Sequence, residues 1–211
     1  MNLNYIYYYF TAALSDDFIN RCKELARATK EHKGLIGGAE VMKKAGRKPT
    51  TKDLTHFKKM RDSNITWLDQ EWIYDTIHPY VQKANKEAGW NFQWDWTEPA
   101  QYTIYRKNQH YDWHQDNWPI PYEEDRGNLA GKIRKLSVTC NLTDPKEYSG
   151  GELEFYNVQN PKKKKDLVKC KEILPKGSII IFPSFIWHRV TPVTKGTRAS
   201  LVMWNLGSPF K

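Results

Sequence analysis

The sequence predicts an α+β fold in a single domain, helices first and then a sandwich or barrel of short strands. Two observations predict it. Apolar residues recur at helical spacing only within the first ninety residues, and after Trp90 the chain breaks into short alternating or apolar runs separated by turn residues. Many short strands with no intervening helix close into a sandwich or barrel. A chain of 211 residues buries a sizeable core as one domain, and nothing forces a second.

The elements follow in order. The opening YIYYYFTAAL is aromatic and β-branched and reads as a strand. In SDDFINRCKELARATKE, Ser15 is a good N-cap, acids occupy the first turn, and Phe18, Cys22, Leu25, Ala26 and Thr29 share one helical face. From Gly34 to Lys59 the chain is Gly-rich, basic and poorly periodic, which reads as a long surface loop or a lid. NITWLDQEWIYDTIHPYVQKANKEAGW restores helical spacing through Leu68, Trp72, Ile73, Ile77, Tyr80, Val81 and Ala84. Asn64 or Thr66 would cap this helix, Pro79 would kink it and Gly89 would end it. The strand-like runs are NFQWDW, AQYTIYR, KLSVTCNLT, GELEFYNV, KEILP, GSIIIFP, WHRVTPVT and RASLVMWNL. Helical support therefore spans 1–90 and the β core 91–206.

Composition narrows the functional classes. Mean hydropathy is −0.77, no apolar run approaches a membrane span, and the N-terminus lacks the basic and long apolar regions of a targeting signal. The expectation is a cytoplasmic monomer. The three cysteines, Cys22, Cys140 and Cys170, are too far apart for a C-x-x-C site, which argues against a disulfide framework or a thiolate zinc site. The net charge of +9 would suit nucleic acid, but the excess sits in Lys33–Arg61 and in the run Lys162–Lys165, where a solvated hairpin tip is the simpler reading.

One stretch does not fit a plain core. YRKNQHYDWHQDN, Tyr105 to Asn117, crowds two histidines, two aspartates and several aromatics together. On a strand, residues two apart share a face, so His114 and Asp116 would present an imidazole beside a carboxylate. His188, in IIIFPSFIWHRV, can supply a third ligand if a late strand lies beside an early one. Two histidines and a carboxylate with open positions suit Fe(II), but zinc accepts the same set, so the triad alone leaves redox chemistry and hydrolysis both open. Arg198 decides between them. It follows His188 by ten residues, with Lys195-Gly196 placed to turn one strand into its antiparallel neighbour. A guanidinium beside the metal demands an anion, and a dicarboxylic cosubstrate would chelate the metal at one end and meet Arg198 at the other. Ser137, Thr139 and Asn141 alternate along KLSVTCNLT and give that strand a polar inward face.

The ordered motifs YRKNQHYDWHQD, LSVTCNLTDPKEYSGGELEF and GSIIIFPSFIWHRVTPVTKGTRASLVMW resemble the prolyl-4-hydroxylase-like branch of the Fe(II)/2-oxoglutarate dioxygenases, especially its small stand-alone bacterial and phage members. The resemblance covers roughly Ala100 to Asn205. It implies a double-stranded β-helix (jelly roll) with N-terminal buttressing helices, Fe(II) on His114, Asp116 and His188, and 2-oxoglutarate on Arg198. Dioxygen is the other cosubstrate. Tyr105 and Tyr111 match the family's pair of active-site tyrosines, Tyr105 as a cosubstrate contact. Leu153, Phe155 and Trp204 match its pocket lining. Where the family often has a cosubstrate tyrosine this chain has Asn141, so Thr139 is the expected substitute.

The activity so implied is hydroxylation of a C–H bond, most simply of a prolyl residue in a peptide or protein. Arg134 matches a substrate-facing arginine, and Tyr111, Trp113, Trp118 and Trp204 would offer flat surfaces to the substrate. GGAEVMKKAGRKPTTKDLTHFKK and NWPIPYEEDRGNLAGK would fold over it as lids. Two alternatives stand beside this reading. A nucleic-acid-modifying oxygenase would use the basic loops, although Trp204 stands where demethylases of the superfamily carry a second arginine. A non-enzymatic jelly roll would keep the ligands for binding alone. His32, His56, His78 and His110 have no partners in the pattern and read as surface residues.

Overall fold

A computed structural model describes residues 3, 5–34, 46–117, 120–156 and 167–210. The first half contains β1 (Tyr8–Phe10), α1 (Asp16–Ala28), β2 (His32–Lys33), α2 (Thr51–Met60), β3 (Arg61–Asp62), β4 (Asn64–Leu68) and α3 (Glu71–Glu87). The second half holds β5 (Trp96–Thr97), β6 (Ala100–Tyr105), β7 (His110–His114), β8 (Ile133–Asn141), β9 (Tyr148–Gly150) and β10 (Leu153–Tyr156). It continues with β11 (Leu167–Lys169), β12 (Ile179–Pro183), β13 (His188–Val190), β14 (Val193–Gly196) and β15 (Arg198–Gly207). No helix among the described residues is long and apolar enough to cross a membrane.

The fold is mixed α and β with antiparallel sheets. The larger sheet runs β1-β12-β8-β15-β6-β4-β2, with β5 against the end of β15; the smaller runs β11-β10-β13-β7-β3. Alternation along each strand sorts the larger sheet's side chains into two cores. Leu136, Val138 and Cys140 of β8 and Leu201 and Met203 of β15 meet Phe18, Ile19 and Cys22 of α1 and Ile73, Ile77 and Val81 of α3. The opposite face sends Tyr105, Ile180 and Phe182 toward Leu153, Phe155 and Val190 of the smaller sheet, with the Phe155 and Phe182 rings 5.0 Å apart. Helices, larger sheet and smaller sheet thus form three layers, and the second core supports the candidate site.

Several local expectations are met in detail. Ser15 caps α1 by accepting from the Phe18 amide, and Gly89, at φ +71°, follows the end of α3. Pro79, expected to kink the helix, lies inside α3, which runs as one element from Glu71 to Glu87. Others need correction. NITWL, expected to start the long helix, is strand β4, since Ile65 and Thr66 bond into the larger sheet through Thr103 and Tyr102. Its β-branched residues pair across the sheet better than they pack on a helix. Part of the expected loop before it is α2, closed by a capping box between Thr50 and Asp53. KEILP forms a single 3-10 turn, Lys171–Ile173, and only Trp96 of NFQWDW enters a strand. Lys195-Gly196 does not join neighbouring strands: β14 pairs with β9, whereas β15 pairs with β6 and β8, so the chain passes between sheets there.

Candidate metal centre

Two β-bulges aim the side chains of the site. His188 pairs with His114 and Val190 with Tyr111, so Asp112 and Trp113 of β7 stand opposite the single residue Arg189. The extra residue brings Tyr111 and His114 to one face, where the two rings stack at 3.5 Å and 9°. On β8, Leu136 pairs with Asn205 and Arg134 with Leu206, leaving Lys135 as the extra residue. Arg134 then reaches the side of Ser137 and lays its guanidinium 3.8 Å over Trp204, the cross-strand partner of Ser137.

Asp116 lies just beyond the end of β7 rather than on it, so strand alternation is not what places it. Its amide and that of Asn117 both donate to the Ser184 carbonyl, at 2.9 and 3.1 Å, and this bends the chain inward. The result brings the three predicted ligands together. One Asp116 oxygen is 3.6 Å from His114 Nε2, the other is 3.5 Å from His188 Nε2, and donor atoms of all three residues lie within 4.8 Å of one another. His114 Nδ1 donates to the Asp112 carbonyl at 2.7 Å and His188 Nδ1 to that of Ile186 at 2.9 Å. A carbonyl can only accept, so each Nδ1 carries its proton and each Nε2 keeps a lone pair for a metal.

Electrostatics favour the ligating forms. Burial, together with the neighbouring His188, holds the His114 imidazole neutral well below its ordinary range. Burial alone would raise the Asp116 carboxyl, but His188, His114, Arg134 and the Ser137 hydroxyl outweigh it and hold it at about 2. Ser137 Oγ donates to Asp116 Oδ2 at 2.7 Å.

Behind the triad, Arg198 is 1% exposed, and neither Nη1 nor Nη2 has a hydrogen-bond partner among the described residues. It pairs in register with Tyr105, whose buried ring lies 5.8 Å from the guanidinium. Room for the arginine comes from Gly151, at φ +62°, where a Cβ would sit 3.0 Å from Arg198 Cδ. Thr139 is buried on the face of β8 shared with Ser137, whereas Asn141 turns to backbone carbonyls, donating to Thr143 and Leu174. An orphaned buried guanidinium behind a two-histidine, one-carboxylate cluster fits a chelating dicarboxylate with Fe(II).

The rim residues divide. Arg134 makes a forked pair with Glu98, at 2.7 and 2.6 Å, so it is a half-buried arginine with a fixed partner. Glu98 raises the Arg134 guanidinium against the opposing effect of burial. Trp204 is buried, and its Nε1 has no hydrogen-bond partner among the described residues. Trp113 packs on Tyr156 at 4.0 Å and under Arg189, and Arg189 points away from its strand neighbour His188; this tryptophan is therefore on the outer face of the smaller sheet. Trp118, the Lys162–Lys165 run and residues 35–45 of the first expected lid lie outside the described residues. Beyond Asp116 the chain closes on itself, the Tyr122 amide donating to the Lys132 carbonyl and the Tyr122 carbonyl accepting from the Gly131 amide. Of the four histidines read as surface residues, His78 is half-buried and bonded to Thr97, and His110 Nε2 to the Lys59 carbonyl.

Sequence reasoning missed Ser184, Glu98 and Arg61. Nothing in their local pattern marked them, because each reaches the site through tertiary packing. Arg61, 8% exposed, lies with its guanidinium 4.5 Å over Tyr111.

Similarity to known proteins gives the family and the fold. The model of the 2OG-Fe(II) oxygenase superfamily matches residues 100–205. A PKHD-type hydroxylase of Xylella fastidiosa is 34% identical over 109 residues, 51% of this chain and 44% of that protein, so the chain spans less than half the length of this curated relative. Among solved structures, a viral collagen prolyl hydroxylase from Paramecium bursaria Chlorella virus-1, in a 2OG complex, aligns with TM-score 0.60 at 19% identity, covering 97% of each chain. A Trichoplax adhaerens prolyl hydroxylase with a hypoxia inducible factor peptide aligns with TM-score 0.61 at 15% identity, covering 96% of this chain and 84% of that one.

Proposed function

The chain belongs to the 2OG-Fe(II) oxygenase superfamily, and from that premise we propose that it hydroxylates a C–H bond of a prolyl residue in a peptide or protein. We read its two facing antiparallel sheets as a double-stranded β-helix buttressed by the N-terminal helices, in a single domain. The observation that carries the proposal is the orphaned Arg198 guanidinium behind the triad. A hydrolytic zinc centre needs no such cation.

His114, Asp116 and His188 would hold the iron, which when bound with 2-oxoglutarate and dioxygen supplies the oxidant for a C–H bond. The protein's own part is positional. Arg198 fixes the distal carboxylate of the cosubstrate, with Tyr105 beside it and Thr139 on the neighbouring strand offering a hydroxyl. Ser137 keeps Asp116 oriented and charged. Phe155, Phe182 and Ile180 line the floor with apolar surface that excludes water from the reacting centre. Tyr111, Trp204 and Arg134 border the opening and would hold the substrate; the relative solved with a hypoxia inducible factor peptide supports a peptide occupant.

The test is direct. Purified protein with Fe(II), 2-oxoglutarate and a library of proline-containing peptides should give product heavier by one oxygen atom, together with succinate. Retention of tightly bound zinc with ester hydrolysis in the absence of dioxygen would overturn the reading.

A further inference from the structure

We propose that Arg61 is a positioning residue for the metal centre, acting through Tyr111 to set the plane of the His114 imidazole. This rests on His114 being a metal ligand. Neither the triad nor the cosubstrate pocket accounts for a largely buried arginine on β3, at the edge of the smaller sheet. Its surroundings do. Arg61 is the direct cross-strand partner of Tyr111, and its guanidinium lies 4.5 Å from the centre of that ring. The His114 imidazole covers one face of the ring at 3.5 Å, nearly parallel, so the guanidinium takes the other. The three groups form a sandwich of cation, phenol and ligand.

The sandwich closes a freedom that the hydrogen bond leaves open. The bond from His114 Nδ1 to the Asp112 carbonyl fixes the tautomer and one direction of the ring. Rotation about that bond would still swing Nε2 away from Asp116, 3.6 Å off. A phenol packed flat against the imidazole blocks the rotation only while the phenol itself is held. Tyr111 borders the bulge at Asp112–Trp113, where the register between β7 and β13 shifts, and the ladder alone does not fix the tilt of its ring. Attraction between the cation and the ring face supplies the missing constraint. Arg61 is fixed in turn by its Nε bond to Ser63 Oγ at 2.9 Å. Gly34 packs so closely here that a Cβ would lie 2.4 Å from that hydroxyl oxygen and 2.7 Å from Arg61 Nε.

Two readouts separate positioning from general support. The first is the chemical shift of the His114 ring protons in the metal-free protein, which a phenol at this distance moves strongly upfield. The second is the affinity for Co(II), with the ligand-field spectrum of the bound ion. Arg61→Met should move the His114 resonances toward ordinary histidine values and weaken Co(II) binding by about 10-fold or more, the range seen when groups behind a ligand are removed. Tyr111→Phe keeps the ring and should match wild type in both. Arg61→Lys keeps a cation and should fall between, and it serves if the methionine variant does not fold. Unmoved His114 resonances in a folded Arg61 variant overturn the proposal, whatever happens to affinity, as does Co(II) binding within twofold of wild type. A wild-type chain that fails to bind Co(II) would instead remove the metal-site reading itself.

Discussion

Ser137 donates to Asp116 Oδ2 at 2.7 Å, and the same hydroxyl oxygen lies 2.9 Å from Ser184 Oγ. This couples β8, the bend after β7 and the turn after β12 at one carboxylate. Ser137→Ala removes the donor and strands a buried carboxylate oxygen, so it should cost about 1–3 kcal/mol of stability. Metal affinity should drop by about 10-fold through lost orientation of Asp116. Urea unfolding and Co(II) titration measure the two, and unchanged Co(II) affinity would show that the backbone bonds to Ser184 suffice.

Arg198 should behave oppositely in stability and in binding. An unpaired buried charge is a burden on the free protein, so Arg198→Met should raise its stability by about 1–4 kcal/mol. The same change should abolish the melting-temperature increase that 2-oxoglutarate gives the wild type with a divalent metal. Lysine should restore only part of it, because it cannot make the forked contact. A methionine variant still stabilised by 2-oxoglutarate would place the far carboxylate elsewhere.

The pH dependence of the metal-free protein follows from His114. Its folded pKa lies well below the ordinary 6.5, with burial the leading cause. Below about pH 6.5 the unfolded chain therefore binds a proton that the folded chain refuses, and stability falls as pH falls, by up to about 1.4 kcal/mol per pH unit. His114→Asn should flatten this slope. Asp116, held at about 2, contributes stability that is fully present above its unfolded value and is lost only as pH falls toward 2. Equal slopes for wild type and His114→Asn between pH 6.5 and 5 would refute the assignment.

The sequence disclosed ligands more readily than it disclosed their supports, for a physical reason. His114, Asp116, His188 and Arg198 are costly to bury without a purpose, so their presence among apolar runs is informative. The strand logic that joined His114 to Asp116 was only half right, because a bend pinned to Ser184 places the carboxylate. Bulges at Asp112–Trp113 and Lys135 reverse the alternation that a period of two assumes. They bring Tyr111 and Arg134 to the site's face, and no local pattern announces an inserted residue. NITWL misled because Leu68 also fits the helical spacing that continues into α3. Pairing with β6 decides the matter, and it is a long-range property.

Gly196 offers a backbone test. It sits at φ +71°, and a Cβ there would lie 2.0 Å from the Glu147 carbonyl oxygen. Gly196→Ala must strain the backbone and displace β9 from β14, so a loss of at least about 2 kcal/mol is expected from the conformation and the clash together. Because Arg198 follows two residues later, the affinity for 2-oxoglutarate should fall as well. A variant as stable as wild type in urea would show that the crossing between sheets relaxes freely.

The fork between Glu98 and Arg134 yields the last prediction. Both side chains are largely buried, and the pair lies between Trp204 and the Asp116 carbonyl, which Arg134 Nη1 approaches at 3.4 Å. The Tyr122 hydroxyl also donates to Glu98, tying in the segment after the triad. Removing one partner leaves a buried charge unmatched, so Glu98→Leu or Arg134→Met alone should cost about 3–5 kcal/mol. The double variant should recover most of that, since an apolar pair of similar volume escapes the desolvation penalty. The coupling measured by the four-protein cycle should therefore be large and favourable. Stability is only half of the test. If the pair also shapes the opening, the double variant should keep Co(II) affinity, because the triad is intact, while losing peptide turnover as the Trp204 ring loses the cation above it. A double variant that folds, binds metal and turns over peptide like wild type would confine the fork to a structural role.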